Sequence, residues 1–469
     1  MNRIARAFLL AAGSLALGVG LDEFKTASAQ SLPNLSVNLN VNGNVHLTWT
    51  VPTVSFFLQE ATSLNGSNAW QTSSANIITN GCNCNAIISP SSPAKFYRLA
   101  STNSPPVGIY LGTPMQLLTP HQLGMTDVPD MHTAILQESN TNVLWIAGRF
   151  ENDAIEGATG LLLTTKFTDF TSGYSPETTN VVPVFVPSYR GFTATNASPG
   201  GYTNFDAAYA GADLVWTATN GTDLLMLYHA ETWAFGTNGP NQQVPGWASV
   251  GLARSSDGGI TWTNRQQIIT GSDVQPDTNP PVAQIYGAVE PGAIIASNFV
   301  FAYYAYFPLA PLTNPAGPVI QVARSAVTND GAAGTWFKYY TNAFLSPGQL
   351  GQGSQIVPTV CGCTRPAQPW PVFSTYLNAY VLVFLCEEGW FFSTSTDLVT
   401  WSSPVQFFTA PNNEFTAGLP TDENLILITP GNSVQVIGQT GIVLYAHTDA
   451  WKNNSHELWS RPFKFQKNP

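Results

Sequence analysis

Residues 224–229 (LLMLYH) and 250–262 (VGLARSSDGGITW) decide the fold of this chain. Each begins with a short apolar run, which is typical of a buried β-strand. The second run leads directly into a turn in which Asp257 and two glycines precede a tryptophan. An aspartate carboxylate can cap the free N–H groups of a turn, and glycine adopts positive φ without strain. The two stretches therefore predict two strands followed by a tight turn.

This pair of phrases occurs five times along the chain. The first phrase is found at residues 143–149, 224–229, 299–304, 380–385 and 441–446, and the second at residues 161–164, 250–255, 320–325, 390–395 and 457–460. The turn returns in part at residues 395–401 (STDLVTW) and 334–336 (GTW). Repeated strand pairs without helical periodicity predict a β-propeller. We therefore expect an all-β chain in which residues 107–466 form a five-bladed β-propeller.

Two further regions precede the repeats. Residues 1–29 carry two arginines ahead of an apolar run and end in Ala27-Ser28-Ala29, which predicts a signal peptide and a secreted or periplasmic protein. Residues 31–102 contain an Asn-Gly hairpin signal and several alternating strand-like segments, which predict a small β-sandwich. No apolar run is long enough to span a membrane, which requires about 20 residues.

Composition excludes several classes of protein. Only 10% of the 469 residues are charged, whereas 44% are hydrophobic, so long charged helices and coiled coils are excluded. The net charge of −11, with 17 Lys and Arg in total, argues against a nucleic-acid partner. The composition leaves the oligomeric state open.

The five cysteines predict structural disulfides. Two tight pairs, Cys82 with Cys84 and Cys361 with Cys363, are accompanied by a single Cys386. An exported protein lies in an oxidising environment, so either Cys361 or Cys363 pairing with Cys386 is expected. No histidine lies near either pair, and we predict no metal site and no cofactor.

Charged side chains gather where the strands of a propeller meet its axis. Successive strands of a blade are antiparallel, so the starts of first strands and the ends of second strands reach the same face. Those positions hold Asp127, Asp130, His132, Asp206, Glu290, Arg365 and Glu423 at first-strand starts, and Arg149, His229, Glu231, Tyr304 and His447 at second-strand ends. The alternative for each is a solvated loop residue, and for His132 a core histidine hydrogen-bonded between blades.

Paired carboxylates at such a face suit glycoside hydrolysis, which needs a protonated acid on the leaving oxygen and an ionised carboxylate near the anomeric carbon. Glu290 lies in the apolar stretch 288–293 (AVEPGA), which predicts a raised pKa and the role of general acid. Asp130, in a polar turn, is expected to remain ionised as its partner, and Glu231 is the next candidate for the acid.

These features together resemble the five-bladed glycoside hydrolase superfamily, which includes the family 43 arabinanases and xylosidases. The turns at residues 255–262 and 395–401 resemble Asp-boxes, and residues 31–102, with a closing Phe-Tyr-Arg-Leu, resemble fibronectin-III-like modules. The resemblance implies that acids on the first three inner strands serve as base or nucleophile, pKa modulator and general acid. The matching positions are Asp130 (or Asp127), Asp206 and Glu290.

The resulting expectation is an exported enzyme that cleaves a poly- or oligosaccharide. Its catalytic candidates are Asp130, Asp206, Glu290 and Glu231, and its substrate-binding candidates are His132, Arg149, His229, Tyr304, Arg365, Glu423 and His447. The alternative is a non-catalytic propeller that binds a glycan or a protein partner through the same face.

Overall fold

The computed structural model describes residues 35–39, 44–50, 56–63, 70–80, 83–88, 95–101, 107–138, 141–150, 158–164, 181, 183–188, 205–233, 246–273, 285–309, 317–360, 362–409, 421–429, 434–448 and 455–467. These residues are nearly all β: they contain 31 strands and two short 3₁₀ helices, Pro120–Leu123 and Val327–Asn329. Within them, no helix has the length and apolar character needed to cross a membrane. The predicted signal peptide, residues 1–29, lies outside the described residues.

Seven strands precede the repeats and form two sheets. They are Ser36–Leu39 (β1), Val45–Thr50 (β2), Phe56–Ala61 (β3), Gln71–Thr72 (β4), Ile77–Asn80 (β5), Asn83–Ile88 (β6) and Phe96–Ser101 (β7). One sheet has the order β1-β2-β6-β5 and the other β4-β3-β7. Leu47 and Trp49 of β2 and Ala86 of β6 form a hydrophobic cluster with Leu58 of β3, so the two sheets share one core.

The remaining strands follow the predicted repeats. In chain order they are Val107–Leu111 (β8), Met115–Leu118 (β9), Met125–Asp127 (β10), Ala134–Glu138 (β11), Thr141–Phe150 (β12), Ala158–Thr164 (β13), Pro183–Phe185 (β14), Tyr209–Thr217 (β15), Leu224–Trp233 (β16), Gly246–Ser255 (β17), Thr263–Ile269 (β18), Ile285–Ala296 (β19), Phe299–Phe307 (β20), Val319–Ala326 (β21), Phe337–Tyr340 (β22), Ala343–Pro347 (β23), Ala367–Ser374 (β24), Ala379–Cys386 (β25), Gly389–Ser395 (β26), Val405–Phe408 (β27), Thr421–Ile428 (β28), Val436–Ile437 (β29), Thr440–Thr448 (β30) and His456–Lys467 (β31).

Among these strands, an antiparallel series of three recurs five times: β11-β12-β13, β15-β16-β17, β19-β20-β21, β24-β25-β26 and β28-β30-β31. The two phrases found in the sequence are the second and third strands of each series, so their prediction as strands is confirmed. Both phrases are apolar along their length because most of their side chains are buried on both faces, as in β16 and β25.

The first strands of four series, β15, β19, β24 and β28, are interrupted by β-bulges. The register with the second strand shifts between Val289 and Gly292 in β19, and bulges at the corresponding places in β15, β24 and β28 contain Asp213, Gln368 and Asn424. Within the bulges, Glu290, Gln368 and Asn424 adopt positive φ angles of 47°, 51° and 56°. A bulge re-aims a side chain, and unfavourable φ at a polar residue often marks a functional site.

The turn at residues 255–262 has the hydrogen bonds expected of it. The Asp257 carboxylate accepts from the backbone N–H of Thr261 at 2.9 Å and from its hydroxyl at 2.6 Å. Gly259 has a φ of 87°, and its carbonyl accepts from the indole N–H groups of Trp262 and, across the series, Trp145. Through its hydrogen bond with Trp145, the turn links the β15-β16-β17 series to the β11-β12-β13 series.

The two ends of the repeat region meet in one sheet. Strand β31 pairs on one side with β30 and on the other with β8 and β9. Ile109 and Leu111 of β8 belong to the main hydrophobic core, which excludes the N-terminal cluster. A disulfide joins Cys363 to Cys386, which is one of the two pairings that the sequence allowed.

Candidate active site

A charged group of three side chains lies where β10, β28 and β31 meet. His456, the first residue of β31, approaches Asp127 with Nδ1 at 2.8 Å and Glu423 with Nε2. Its backbone N–H also donates to Asp127 at 2.7 Å. Both ring nitrogens therefore donate to carboxylates, which requires the imidazolium form.

The pKa directions agree with this geometry. Burial alone would lower the pKa of His456, but the charges and hydrogen bonds of Glu423 and Asp127 raise it well above its usual value. Burial opposes ionisation of the two acids as well, yet His456 holds the pKa values of Asp127 and Glu423 below their usual range. All three groups are charged at neutral pH as a result.

Asp130 lies near this group, but its pKa is shifted in the opposite direction from those of Asp127 and Glu423. Its backbone N–H donates to Ala147 of β12, which fixes it beside β10. Burial, and then the neighbouring negative charges of Asp127 and Glu423, raise the pKa of Asp130 to about 7, although the charge of His456 opposes them. The sequence predicted Asp130 as the ionised partner in a polar turn, whereas burial and neighbouring charges favour its protonated form more than that turn suggested.

Glu231 lies near Tyr209, as Asp130 does. Tyr209 and Glu231 are directly opposite each other in the β15–β16 pair, and the Tyr209 hydroxyl donates to the Asp130 carbonyl at 3.1 Å. Burial and the charges of Asp130 and Glu231 raise the pKa of Tyr209 well above its usual value. A protonated phenol therefore lies within electrostatic range of both carboxyl groups.

His229 contacts Glu231 from the same strand. Its Nε2 lies 2.8 Å from the Glu231 carboxylate, and its Nδ1 accepts the backbone N–H of Glu290 at 3.1 Å. His229 is only 2% exposed, and its ring contacts are to Glu231 and the Glu290 backbone. The substrate contact expected from the sequence stays a prediction.

The bulge residues continue this network across neighbouring strands. The Gln368 amide donates to the Glu290 carboxyl at 3.2 Å, and the Asn424 N–H donates to the Gln368 side-chain oxygen at 2.8 Å. A separate contact joins two buried side chains, because His132 Nδ1 lies 3.2 Å from the Asp213 carboxyl. Burial raises the pKa of Asp213 well above its usual value and lowers that of His132 to about 3, so this pair is uncharged at neutral pH.

Several substrate-binding candidates lie elsewhere. His132 is fully buried, in agreement with the alternative of a core histidine, and Tyr304 is fully buried and donates to Gln321 at 3.0 Å. Neither side chain has an exposed surface, so their proposed contact with a substrate has no support from this structure. His447 faces Asp422 at 2.6 Å and packs on Trp459, on the face of the sheet opposite Glu423.

Asp206 does not share the contacts of Asp130 or Glu290. Its carboxylate accepts from Arg265 at 2.9 Å and from Tyr228 at 3.1 Å, and it is 2% exposed. Asp206 precedes β15, and its carboxylate forms an ion pair with Arg265 of β18. Among the remaining candidates, Arg149 is exposed and lies opposite Asp127 in the β10–β12 pair, whereas Arg365 is half-buried against Gly317.

Sequence reasoning missed His456 and Tyr209. The signal for His456 was available, because the start of a third strand reaches the same face as the end of the second strand. Tyr209 could not be distinguished from a core tyrosine, since it lies at the start of an almost wholly buried strand.

Asp127, Asp130 and His456 offer ligand atoms within 4.8 Å of one another, a spacing that a metal ion could bridge. A histidine ligand must be neutral and present a lone pair, however, and both ring nitrogens of His456 donate to carboxylates. The imidazolium thus supplies the positive charge that an ion would supply, and the group does not fit a metal centre.

Comparison with known proteins gives structural likenesses alone. No protein-family model matches the chain, and no curated protein matches it. A GH62 α-L-arabinofuranosidase catalytic domain of Coprinopsis cinerea is similar with a TM-score of 0.39 and 11% identity, over 74% of this chain and 96% of that one. An α-L-arabinofuranosidase of Podospora anserina, solved with cellotriose, has a TM-score of 0.39 and 10% identity over 76% and 98%. A family 117 glycoside hydrolase of Zobellia galactanivorans has a TM-score of 0.43 and 8% identity over 76% and 90%.

Proposed function

We propose that this chain is an exported glycoside hydrolase that cleaves an O-glycosidic bond in a poly- or oligosaccharide. The observation that carries the proposal is the difference between the pKa values of neighbouring acids. Asp130 has a pKa of about 7, whereas Asp127 and Glu423 beside it have lowered pKa values. Titratable groups whose environments push their pKa values apart are typical of acid–base catalysis.

In the proposed architecture, the five strand series are the five blades of one closed propeller over residues 107–466. The two sheets within residues 31–102 are a fibronectin-III-like sandwich, and residues 1–29 are a signal peptide. The pairing of β31 with β8 supports closure, because it joins the last series to the first strand of the region.

We assign the general acid to Asp130 and the ionised carboxylate to Glu231, both of which lie near Tyr209. Asp130 transfers its proton to the leaving oxygen as the glycosidic bond breaks. Glu231 stabilises the positive charge that develops at the anomeric carbon. A water molecule then adds its hydroxyl to that carbon, and the remaining proton of the water returns to the Asp130 carboxylate. Asp127 and Glu423, fixed by His456, keep the Asp130 proton in place near neutrality. Arg149 and Arg365 remain proposed substrate contacts, whereas Asp206 and Glu290 are not assigned catalytic roles.

Asp130→Asn is the direct test. On arabinose- and xylose-containing oligosaccharides, which need acid assistance, kcat should fall about 10²–10⁴-fold, the usual worth of general acid catalysis. On aryl glycosides with good leaving groups, the loss should be much smaller. The wild-type rate should fall as pH rises through about 7, and the variant should lose this dependence.

Asp223→Asn is the matched control. Asp223 precedes β16, at the end remote from Glu231, and pairs with Arg254 at 2.6 Å on a half-exposed surface. Both rates should stay at the wild-type level in this variant. Equal losses on the two substrate types in Asp130→Asn would remove the acid role. Binding of glycans without any cleavage would favour the non-catalytic propeller.

A further inference from the structure

We propose that His229 is a positioning residue that fixes the Glu231 carboxylate through a single neutral tautomer. The proposal rests on the proposed function, because it takes Glu231 as the ionised carboxylate of the site. It adds a residue that the reaction depends on without contact with the substrate, and it gives a physical reason for the strained backbone at Glu290.

The tautomer follows from the two partners of the ring. A backbone N–H is a donor only, so the 3.1 Å contact from Glu290 requires a lone pair on Nδ1 of His229. The proton of a neutral imidazole then lies on Nε2, 2.8 Å from the Glu231 carboxylate. Protonation of Nδ1 would set two donors against each other in a buried place. His229 is therefore held as an acceptor on one side and a donor on the other.

The bulge in β19 presents the N–H group to His229. In an uninterrupted strand this group would bond to the neighbouring strand, but the register shifts between Val289 and Gly292, and Glu290 has a φ of 47°. Such a conformation persists only when surrounding contacts hold it. The Gln368 amide supplies one such contact, at 3.2 Å from the Glu290 carboxyl.

The hydrogen bonds share one direction. The Asn424 N–H donates to Gln368, the Gln368 amide to Glu290, the Glu290 N–H to His229, and His229 to Glu231. Aligned donors in a buried chain polarise one another and rigidify the last acceptor. Glu231 is 5% exposed and is thereby held in one orientation before a substrate arrives.

The titratable groups that face His229 come from several strands. Tyr209 of β15 packs edge-on against the ring, with centroids 5.4 Å apart. Glu231 lies on its own strand, the Glu290 carboxyl is on β19, and His132 and Asp213 lie within electrostatic reach. Asp213 and His132 are uncharged at neutral pH, so Glu231 and Glu290 are the carboxyl groups nearest to a change at position 229.

Two substitutions separate the functions of the ring. The carboxamide of His229→Asn can replace the acceptor for the Glu290 N–H but is too short to donate to Glu231. That of His229→Gln reaches the position of Nε2 and restores the donor. We expect His229→Asn to lower kcat about 10²-fold, as a misplaced reacting group does, with KM unchanged. His229→Gln should recover most of this loss.

A merely structural histidine would give a different pattern. Both substitutions would then lower the melting temperature and the active fraction, and His229→Gln would recover no activity relative to His229→Asn. Glu231→Gln distinguishes failure of the inference from failure of the proposed function. If Glu231→Gln retains full activity, the proposed role of that carboxylate is wrong. If Glu231→Gln is inactive while His229→Asn matches the wild type, the positioning role is wrong and the proposed function stands.

The tautomer can be measured without activity. In the wild-type protein labelled with ¹⁵N-histidine, the ring signal that disappears in His229→Gln should show a protonated Nε2 and an unprotonated Nδ1 at neutral pH. A proton on Nδ1, in either the other tautomer or the imidazolium, would overturn the proposal.

Discussion

At the scale of single residues, the charge on His456 controls how readily Asp130 releases its proton. The imidazolium lies between Asp127 and Glu423 and lowers the pKa of Asp130, whereas burial and the two carboxylates raise it. The balance leaves that pKa at about 7. Asp130 must be protonated to act as the acid, so the proposed activity should decline as pH rises through this value.

His456→Gln should therefore move the alkaline limb of the pH–rate profile to higher pH. The substitution removes a positive charge, which leaves the negative charges of Asp127 and Glu423 uncompensated and raises the pKa of Asp130 further. The profile of kcat/KM measures the shift in the free enzyme. His121→Gln, at an exposed position of the 3₁₀ helix Pro120–Leu123, is the control and should leave the profile unchanged. A shift of the limb to lower pH would contradict this account of Asp130.

The acids of the site were predictable from the sequence, and their division of roles was not. Glu231 and Glu423 were identified because strand ends converge on one face. Asp130 was expected to be ionised and Glu290 protonated, since the sequence around each suggested a wet turn and an apolar strand. The pKa of Asp130 is raised mainly by burial and by the neighbouring Asp127, and His456 and Glu423, far along the chain, complete the balance. The burial and the two distant charges come from the fold, so no local pattern carries that information.

At the scale of elements, the turn at residues 255–262 joins one strand series to the previous one. Trp262 packs edge-on against Trp145 with ring centroids 6.1 Å apart, and the turn at residues 395–401 repeats the arrangement through Trp401 and Tyr303, 5.7 Å apart. In each case a turn carbonyl also accepts from the neighbouring aromatic side chain. The same local sequence therefore produces the same contact between series.

Gly259→Ala and Gly258→Ala should differ in their effect on stability. Both glycines have positive φ, of 87° and 74°, so an alanine costs about 1–2 kcal/mol at either position. A Cβ at Gly259 would lie 2.4 Å from the Trp145 ring, whereas one at Gly258 meets nothing within 4 Å. Overpacking adds about 1–3 kcal/mol at Gly259 alone. Urea denaturation of the two variants measures the difference, and equal losses would show that the turn does not press on Trp145.

The sequence predicted the second and third strands of each series but not the β-bulges inside first strands such as β19 and β24. The phrases of β12 and β16 are unbroken apolar runs, which identify strands directly. Strands β19 and β24 contain Glu290-Pro291 and Gln368-Pro369 at their bulges, where the regular pattern of a strand is lost. Those interruptions supply the hydrogen bonds that lead to His229 and Glu231, because they turn polar groups away from the ladder and toward one another.

At the scale of the whole molecule, the last strand of the repeat region, β31, pairs with the first strand of that region, β8. Strand β8 pairs with β31 from Val107 opposite Lys467 to Leu111 opposite Phe463. Ile109 and Leu111 are each 5% exposed and belong to the main core. Residues Leu47, Trp49, Leu58 and Ala86 of the N-terminal sheets form a separate cluster. The stability of the repeats should therefore depend on β8 and not on the strands before it.

Two truncated chains test this dependence. A chain that begins at Val107 keeps β8 and should retain the calorimetric transition of the repeat region at its original temperature. A chain that begins at Thr113 loses β8, leaves an edge of β31 unpaired, and removes two buried side chains worth about 2–5 kcal/mol each. Its transition should shift to a markedly lower temperature or disappear. If the two chains melt alike, closure through β8 contributes nothing to stability. If the chain from Val107 is already destabilised, the N-terminal sheets support the repeats, and the proposed boundary between the domains must be abandoned.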